Sequence, residues 1–367
     1  MLVTPFVLIA RNLPTNLSPP PCLQEGYYGL SSTGSYSFYV TDIECSYGAA
    51  DSFTEGHVAP IEMDAQSQLV WFEQVQTASY PDMFPPSSSS DLQSLLKSFD
   101  PPESSSQERQ QVFANTSPRN TEYLYHNSES LLVRIDRNLA RQVDVQLPPY
   151  WKMMILPEAP MPYVPVPSPA IKRVKDLLAN VKFDPIVASL VNNISIPQIQ
   201  EDIRYLTGED AKSPIISRHS FSDDVLIAAD WLKTRFEETV RTNCPASSFI
   251  STEDTTETIL LSSHYDSRGS FGSTRAPGGD DDGSGTVGLL SIARAIGRLG
   301  IKFKKNVQLV TFAGEEQGLV GSRAYARKLQ SLVAVEARLN FAPATRRTQR
   351  SRRGLAIDDP SRYDRIS

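Results

Sequence analysis

Long hydrophobic runs are missing from this sequence of 367 residues. No stretch approaches the roughly 20 apolar residues that a helix needs to cross a bilayer, so we predict no membrane span. The opening apolar stretch at residues 2–10 is short and lacks a basic start, which argues against a signal peptide.

A basic excess is also missing, since the formal net charge is -6 and the pI is about 5.4. Binding to nucleic acid needs a basic surface, so we predict no nucleic-acid partner. The one basic run, residues 346–353, is typical of a solvated tail. We therefore predict a basic, disordered tail over residues 333–367.

Cysteine is scarce, with only Cys22, Cys45 and Cys244. An odd number without metal-site spacing predicts neither a disulfide framework nor a structural zinc cluster. One disulfide is compatible with a secreted protein, and the sequence leaves its connectivity open.

Proline, in contrast, is abundant, and most of the 27 prolines lie before residue 170 together with runs of serine. Such a composition disfavours a compact core. We predict that residues 1–169 form a Pro/Ser-rich, poorly ordered region of unknown role, with strand-like patches at 36–40 and 131–145. The Pro/Val alternation at 157–169 predicts an extended linker.

Helical periodicity begins at residue 170. We predict helices around residues 174–178, over 196–205 and over 220–240. The third begins at Ser220, with Asp223 three residues later as a capping-box-like signal.

Strands and helices then alternate. We predict buried strands at 258–262 and 307–312, each followed by a helix, at 283–299 and 319–329. This alternation predicts an α/β domain over residues 170–332, with a mostly parallel sheet flanked by helices.

The polar residues that follow the two strands are chemically informative. His264 and Asp266 follow the first strand, Glu315 and Glu316 follow the second, and Asp280–Asp282 lie between them. The carboxyl ends of parallel strands meet at one edge of a sheet. Imidazole and carboxylate are zinc ligands, and a carboxylate can bridge two ions, so the pattern predicts a metal centre.

Each part of this pattern also has an ordinary structural explanation. A histidine at a strand end is often hydrogen-bonded structure, and paired glutamates often lie on a solvated face. The aspartate run lacks the alternate spacing of a calcium loop. The order of all three groups at strand ends favours the metal centre.

Three blocks carry a resemblance to a known family: His264–Ser267, Ala276–Gly285 and Gly314–Ser322. They resemble the signature blocks of metallopeptidase family 28, which includes secreted fungal and bacterial leucine aminopeptidases. The resemblance covers roughly residues 180–330. It implies two zinc ions, a peptide or protein substrate cut at its amino terminus, and a secreted or vacuolar location.

The resemblance also implies roles for individual residues. His264 would bind the first zinc, Asp281 would bridge both ions, and Glu316 would bind the second. Glu315 would be the general base, and Asp266 would orient His264.

Two further ligands of the family, an aspartate on a later strand and a late histidine, have no evident counterpart. The four histidines are His57, His126, His219 and His264, and none follows the glutamate pair. We therefore expect a truncated or degenerate peptidase domain that binds zinc weakly and has little or no activity. The alternatives are a catalytically silent binding protein on this scaffold and a single-zinc acyl-transfer or cyclising enzyme. The number of bound zinc ions distinguishes the three hypotheses: two for the aminopeptidase, none for the silent binding protein and one for the acyl-transfer or cyclising enzyme.

Overall fold

The computed structural model describes residues 5–11, 19–49, 52–53, 55–62, 64–74, 88–99, 121–148, 150–161, 163, 166–239, 248–269 and 275–340, with side chains up to residue 330. These residues form two compact units that divide after Asn180. The predicted boundary after residue 169 and the roles of the three predicted segments stay predictions. Cys244 and the basic run at 346–353 lie outside the described residues.

The first unit repeats one order of elements: strand, helix, strand, strand, helix, strand. The first set is β1 Phe6–Arg11, α1 Pro21–Gln24, β2 Tyr27–Leu30, β3 Tyr36–Thr41, α2 Ile43–Gly48 and β4 Gly56–Pro60. The second set is β5 Ser67–Gln74, α3 Ser89–Ser98, β6 Thr121–His126, β7 Ser130–Asp136, α4 Arg137–Asp144 and β8 Trp151–Ile155, and α5 Ser168–Ala179 follows it.

The two sets also build sheets with the same strand order. The sheets run β2-β3-β1-β4 and β6-β7-β5-β8, and every neighbouring pair in them is antiparallel. The first unit therefore contains one topology twice.

The core of the first unit lies between these two sheets. Because side chains alternate along a strand, Val7 and Ile9 of β1 share one buried cluster with Leu69 and Trp71 of β5. The indole of Trp71 is fully buried, and its centroid lies 5.0 Å from that of the Phe38 ring. Burial of one large aromatic side chain contributes about 1.5–3 kcal/mol to the free energy of folding.

Helices cover the outer faces of the sheets. Leu8 and Ala10 of β1 pack with Leu23 of α1 on one side, and α4 packs against β5, β7 and β8 on the other. Cys22 and Cys45 form a disulfide bond that joins α1 to α2.

The prediction of a poorly ordered region does not hold for the described residues of the first unit. The predicted strand at 36–40 is present as β3, whereas the patch at 131–145 divides into β7 and α4. The prolines that the structure describes lie mainly at or between element ends, as Pro60 does in β4 and Pro148 does before β8, where a missing N–H costs little. The proline count was therefore a poor guide to burial.

The second unit contains the predicted alternation of strands and helices. Its elements are α6 Pro185–Asn192, α7 Ile196–Leu206, α8 Asp224–Thr239, β9 Ser248–Phe249, β10 Thr258–His264, α9 Gly285–Leu299, β11 Asn306–Phe312 and α10 Val320–Asn340. The irregular loop Gly279–Ser284 precedes α9. The core of the second unit contains Leu232 of α8, Leu290 of α9 and Leu309 of β11, which pack together.

The molecule is a mixed α/β protein, but a mostly parallel sheet is not confirmed. The second unit has the strand order β10-β11-β9, in which β10 pairs parallel with β11 and β9 pairs antiparallel. The prediction that residues 258–262 are buried is wrong, since Ile259 is 51% exposed. The reason is that β10 is an edge strand among the described residues and has one neighbour.

Two helices also differ from their predictions. The helix α8 begins at Asp224 rather than at Ser220, and the hydroxyl of Ser220 bonds elsewhere. The helix α10 extends to Asn340, past its predicted end at 329 and into the first residues of the predicted tail. No helix in the described ranges combines the length and apolar content needed to cross a membrane.

Candidate metal centre

His264 ends β10 and lies beside Phe312, the last residue of the parallel strand β11. The residues after β11, Glu315 and Glu316, therefore start from the same edge of the sheet as His264. This edge is where the sequence predicted the site.

Asp266 is the buried anchor of the site, with a side chain that is 0% exposed. Its carboxylate accepts hydrogen bonds from the Ser220 hydroxyl at 2.8 Å and from the main-chain N–H groups of Glu315 and Glu316, both at 3.3 Å. Burial raises the pKa of Asp266, but hydrogen bonds from His264 and Ser220 outweigh burial and hold the pKa below its usual range. Asp266 is thus held as a carboxylate.

The imidazole of His264 lies between Asp266 and the aspartate loop. Its Nδ1 is 3.3 Å from Oδ1 of Asp266, and its Nε2 is 3.1 Å from Oδ1 of Asp281. Burial lowers the pKa of His264, but contacts with Asp266 and Asp281 raise it to about 10. A carboxylate on one nitrogen of an imidazole, with the other nitrogen aimed at a ligand position, is typical of metal-binding histidines.

Two aspartates of the loop, Asp281 and Asp282, point in different directions. Asp282 is turned inward, where its carboxylate accepts the N–H of His264 at 3.2 Å and the N–H of Gly285 at 2.8 Å. Asp281 is 67% exposed at its side chain and faces Nε2 of His264. The peptide bond between Asp281 and Asp282 is cis. The geometry therefore gives Asp282 a structural place and leaves Asp281 open toward the site.

Arg218 holds this loop in place and is fully buried. Its guanidinium donates to the carbonyls of Leu206 at 3.0 Å, Tyr265 at 2.8 Å and Gly278 at 2.8 Å, and also to the carbonyl of Pro277. Burial lowers the pKa of Arg218 to about 10, against the opposite effect of Asp266 and Asp282. Arg218 ties the end of α7, the end of β10 and the start of the aspartate loop together.

Gly278 is required at the start of the loop. Its φ is +49°, and a Cβ there would collide with the side chain of Ser267 and the carbonyl of Asp281. A residue with a side chain would move the loop away from β10.

The two glutamates occupy different environments. The side chain of Glu315 is 38% exposed, and its Oε2 lies 3.8 Å from Nε2 of His264. The side chain of Glu316 is only 4% exposed, and its Oε2 lies 3.5 Å from Nε of Arg268. The structure thus brings His264, Asp266, Asp281 and Glu315 together, while Glu316 pairs with a guanidinium.

One pair of donor atoms at the site, Nε2 of His264 and Oδ1 of Asp281, has a spacing compatible with two ligands of the same zinc ion. Zinc bonds of about 2.0–2.2 Å in a tetrahedron separate neighbouring ligand atoms by roughly 3.3 Å, close to the 3.1 Å between His264 and Asp281. No group of three His, Cys, Asp or Glu side chains that could hold an ion occurs among the described residues. The metal-binding roles of His264, Asp281 and Glu316, and the catalytic roles of Glu315 and Asp266, stay predictions.

Sequence reasoning missed two residues of the site, Arg218 and Ser220. Both lie between α7 and α8; Ser220 donates to Asp266, 46 residues away along the chain, and Arg218 donates to carbonyl groups 12–60 residues away. The serine was instead predicted to cap a helix. No local pattern in the sequence indicated either contact.

The family resemblance is confirmed by comparison with known proteins. Residues 249–351 match the model of peptidase family M28. This segment contains His264, the aspartate loop and both glutamates. The match begins later than the predicted resemblance and does not include residues 1–180.

Three curated relatives show how far the similarity extends. A probable leucine aminopeptidase of Arthroderma otae is 27% identical over 172 residues, which is 41% of this chain and 45% of the relative. Aminopeptidase Y of Saccharomyces cerevisiae is 38% identical over 71 residues, 19% of this chain and 12% of the relative. A probable zinc metalloprotease of Pyrenophora teres f. teres is 37% identical over 92 residues, 24% of this chain and 19% of the relative. The chain spans less than half the length of these relatives.

Two solved structures from Legionella pneumophila are also similar. The LapA aminopeptidase has a TM-score of 0.41 and 16% identity, and the alignment covers 73% of this chain and 67% of that one. LapB has a TM-score of 0.39 and 18% identity, with coverage of 70% and 64%. The similarity to the family is carried by the family-model match over residues 249–351, and the structural scores carry no argument.

Proposed function

We propose that this chain is a zinc-dependent metallopeptidase of the aminopeptidase type, which hydrolyses the first peptide bond of a peptide or protein. The observation that carries the proposal is the convergence of His264, Asp281 and Glu315 at the carboxyl end of a parallel strand pair. The match to peptidase family M28 and the names of the curated relatives support it.

The ligands proposed for zinc are those that the resemblance implies. His264 and Asp281 would hold one ion, and Asp281 and Glu316 would hold the second of the two ions found in the family pattern. Bound zinc lowers the pKa of water and polarises a carbonyl group. The residues of the chain supply the remaining functions.

Asp266 acts as the orienting residue in this proposal. Its carboxylate lies 3.3 Å from Nδ1 of His264, so it sets the direction in which Nε2 points. Its bonds to the N–H groups of Glu315 and Glu316 position the turn that carries the base. One buried carboxylate thus aligns a ligand and the base.

Glu315 acts as the general base in this proposal. Its partly exposed carboxylate lies beside the candidate ligands and has room to accept a proton from an attacking water. A peptide with a free amino group and a carbonyl at the site would be its substrate.

A catalytically silent binding protein is the second candidate. The absence of a three-ligand group among the described residues favours it. The two candidates differ in one measurable property, which is turnover.

We also propose a secreted or vacuolar location, which the family resemblance implies. The Cys22–Cys45 disulfide supports it, because disulfides persist mainly in oxidising compartments.

The test of the function is Glu315→Gln. We expect the rate of hydrolysis of an amino-terminal leucyl anilide to fall by ~10²–10⁴-fold, with zinc content unchanged, because a base is not a ligand. Asp280→Asn is the matched control, since Asp280 is an exposed carboxylate in the neighbouring loop. Equal turnover in Glu315→Gln and the parent would remove Glu315 from the mechanism, and no turnover in the parent would favour the silent protein.

A further inference from the structure

Arg268 and Glu316 form a buried ion pair beside the candidate metal centre. Nε of Arg268 lies 3.5 Å from Oε2 of Glu316, and the side chains are 12% and 4% exposed. Arg268 also donates from Nη2 to the main-chain carbonyl of Glu316. The guanidinium therefore contacts both the side chain and the backbone of this glutamate.

Glu316 is held from its other side as well. Its main-chain N–H donates to Oδ2 of Asp266 at 3.3 Å, and the same Asp266 carboxylate contacts His264. The N–H, carbonyl and carboxylate of Glu316 thus all have protein partners. Moving the carboxylate toward a metal ion would break the contact with Arg268.

A second divalent ion bound to Glu316 would lie next to the positive charge of Arg268. An arginine side chain stays protonated at any working pH. The guanidinium already lies against this carboxylate, and its positive charge would oppose a second metal ion there, where little water reaches to screen the repulsion. If the ion displaced Arg268, the guanidinium would lose its contact with the Glu316 carboxylate while it stayed mostly buried, which is destabilising.

We propose that the Arg268–Glu316 pair takes the place of a second metal ion, so that the centre binds one divalent ion between His264 and Asp281. This inference rests on the proposed function and disagrees with the two ions that the family resemblance implies. If it holds, one bound ion does not by itself identify an acyl-transfer or cyclising enzyme, and turnover of a peptide substrate makes that distinction. Glu316 is then a positioning residue that holds the turn carrying Glu315. Arg268 supplies the positive charge on that side of the site.

The test is calorimetric titration of the full chain with Zn²⁺, which reports stoichiometry and affinity without any assay of turnover. The parent should bind one ion. Glu316→Gln should also bind one ion with the affinity of the parent, because Glu316 is not a ligand. Asp281→Asn should weaken binding by at least about 10–100-fold, and Asp280→Asn is the control for loss of a nearby carboxylate.

Removal of Glu316 alone leaves Arg268 buried without its carboxylate, so Glu316→Gln could fail to fold. The double variant Arg268→Gln with Glu316→Gln removes both charges at once and should still bind one ion. Circular dichroism identifies which variants are folded.

The outcomes separate this inference from the proposed function. Two ions in the parent, or loss of an ion in a folded variant at Glu316, would overturn the inference and leave the peptidase proposal standing. No ion in the parent would overturn both, since the chain would lack a metal centre.

Discussion

Replacement of Arg218 by lysine tests how the site is held together. The buried guanidinium bonds four carbonyl groups, on Leu206, Tyr265, Pro277 and Gly278. The ammonium of lysine has three donors on one nitrogen and cannot reach all four. We therefore expect one or two of these buried carbonyls to lose their bond to residue 218, although the Gly278 carbonyl would keep the N–H of Gly283.

The magnitude follows from those lost bonds. A buried acceptor without a partner costs about 1–3 kcal/mol, so Arg218→Lys should lower the free energy of unfolding by about 3 kcal/mol. For a unit of this size, that corresponds to a fall in melting temperature of roughly 6–12 °C. Because Arg218 also holds the loop that carries Asp281, zinc affinity should fall by about 10–100-fold.

The assay combines thermal unfolding by circular dichroism with zinc titration of the folded protein. Arg235→Lys is the matched control, because Arg235 pairs with Glu238 on the surface of α8. The control should change stability by less than about 0.5 kcal/mol. A melting temperature of Arg218→Lys within about 2 °C of the parent, with unchanged zinc affinity, would refute the reasoning.

Three further predictions follow from other parts of the molecule. Zinc binding at pH 8 should release about one proton. Contacts with carboxylates raise the pKa of His264 to about 10, and an imidazole that binds a metal ion must be neutral. Calorimetry in buffers of different ionisation enthalpy measures the number of protons released, and no release would contradict the prediction. Trp71→Ala should destabilise the first unit by about 3–5 kcal/mol in urea unfolding, because the indole is fully buried between the two sheets; a loss below 1 kcal/mol would argue against that core. Reduction of the Cys22–Cys45 disulfide should cost about 2–4 kcal/mol, and an equal melting temperature of the oxidised and reduced chains would show that the bond is not formed.

The sequence predicted the elements of the second unit because their periodicity is strong and local. Helix α7 and strand β11 lie within one or two residues of their predicted ranges. The functional residues follow those elements directly, so correct strand ends place His264 and Glu315 at one edge. Local periodicity in the sequence is therefore enough to predict where such residues lie.

The same reasoning failed where contacts are long-range. Arg218 donates hydrogen bonds to carbonyl groups that are 12–60 residues away along the chain. These bonds depend on the conformation of the aspartate loop rather than on the residues next to Arg218. In the first unit, short strands such as β4 and β8 pair across long stretches of sequence. Composition could not reveal those pairings, because prolines between strands do not disrupt the sheet.

The position of β10 explains why the loop contacts matter so much. Among the described residues β10 pairs only with β11, so sheet burial contributes little to holding its end. The main-chain N–H of His264 donates to Asp282 at 3.2 Å, and its carbonyl accepts from the Thr286 hydroxyl at 2.6 Å. Both backbone groups of His264 are therefore tied to the loop and the start of α9. We therefore expect a substitution in that loop to shift the imidazole of His264 directly, without first disturbing the sheet.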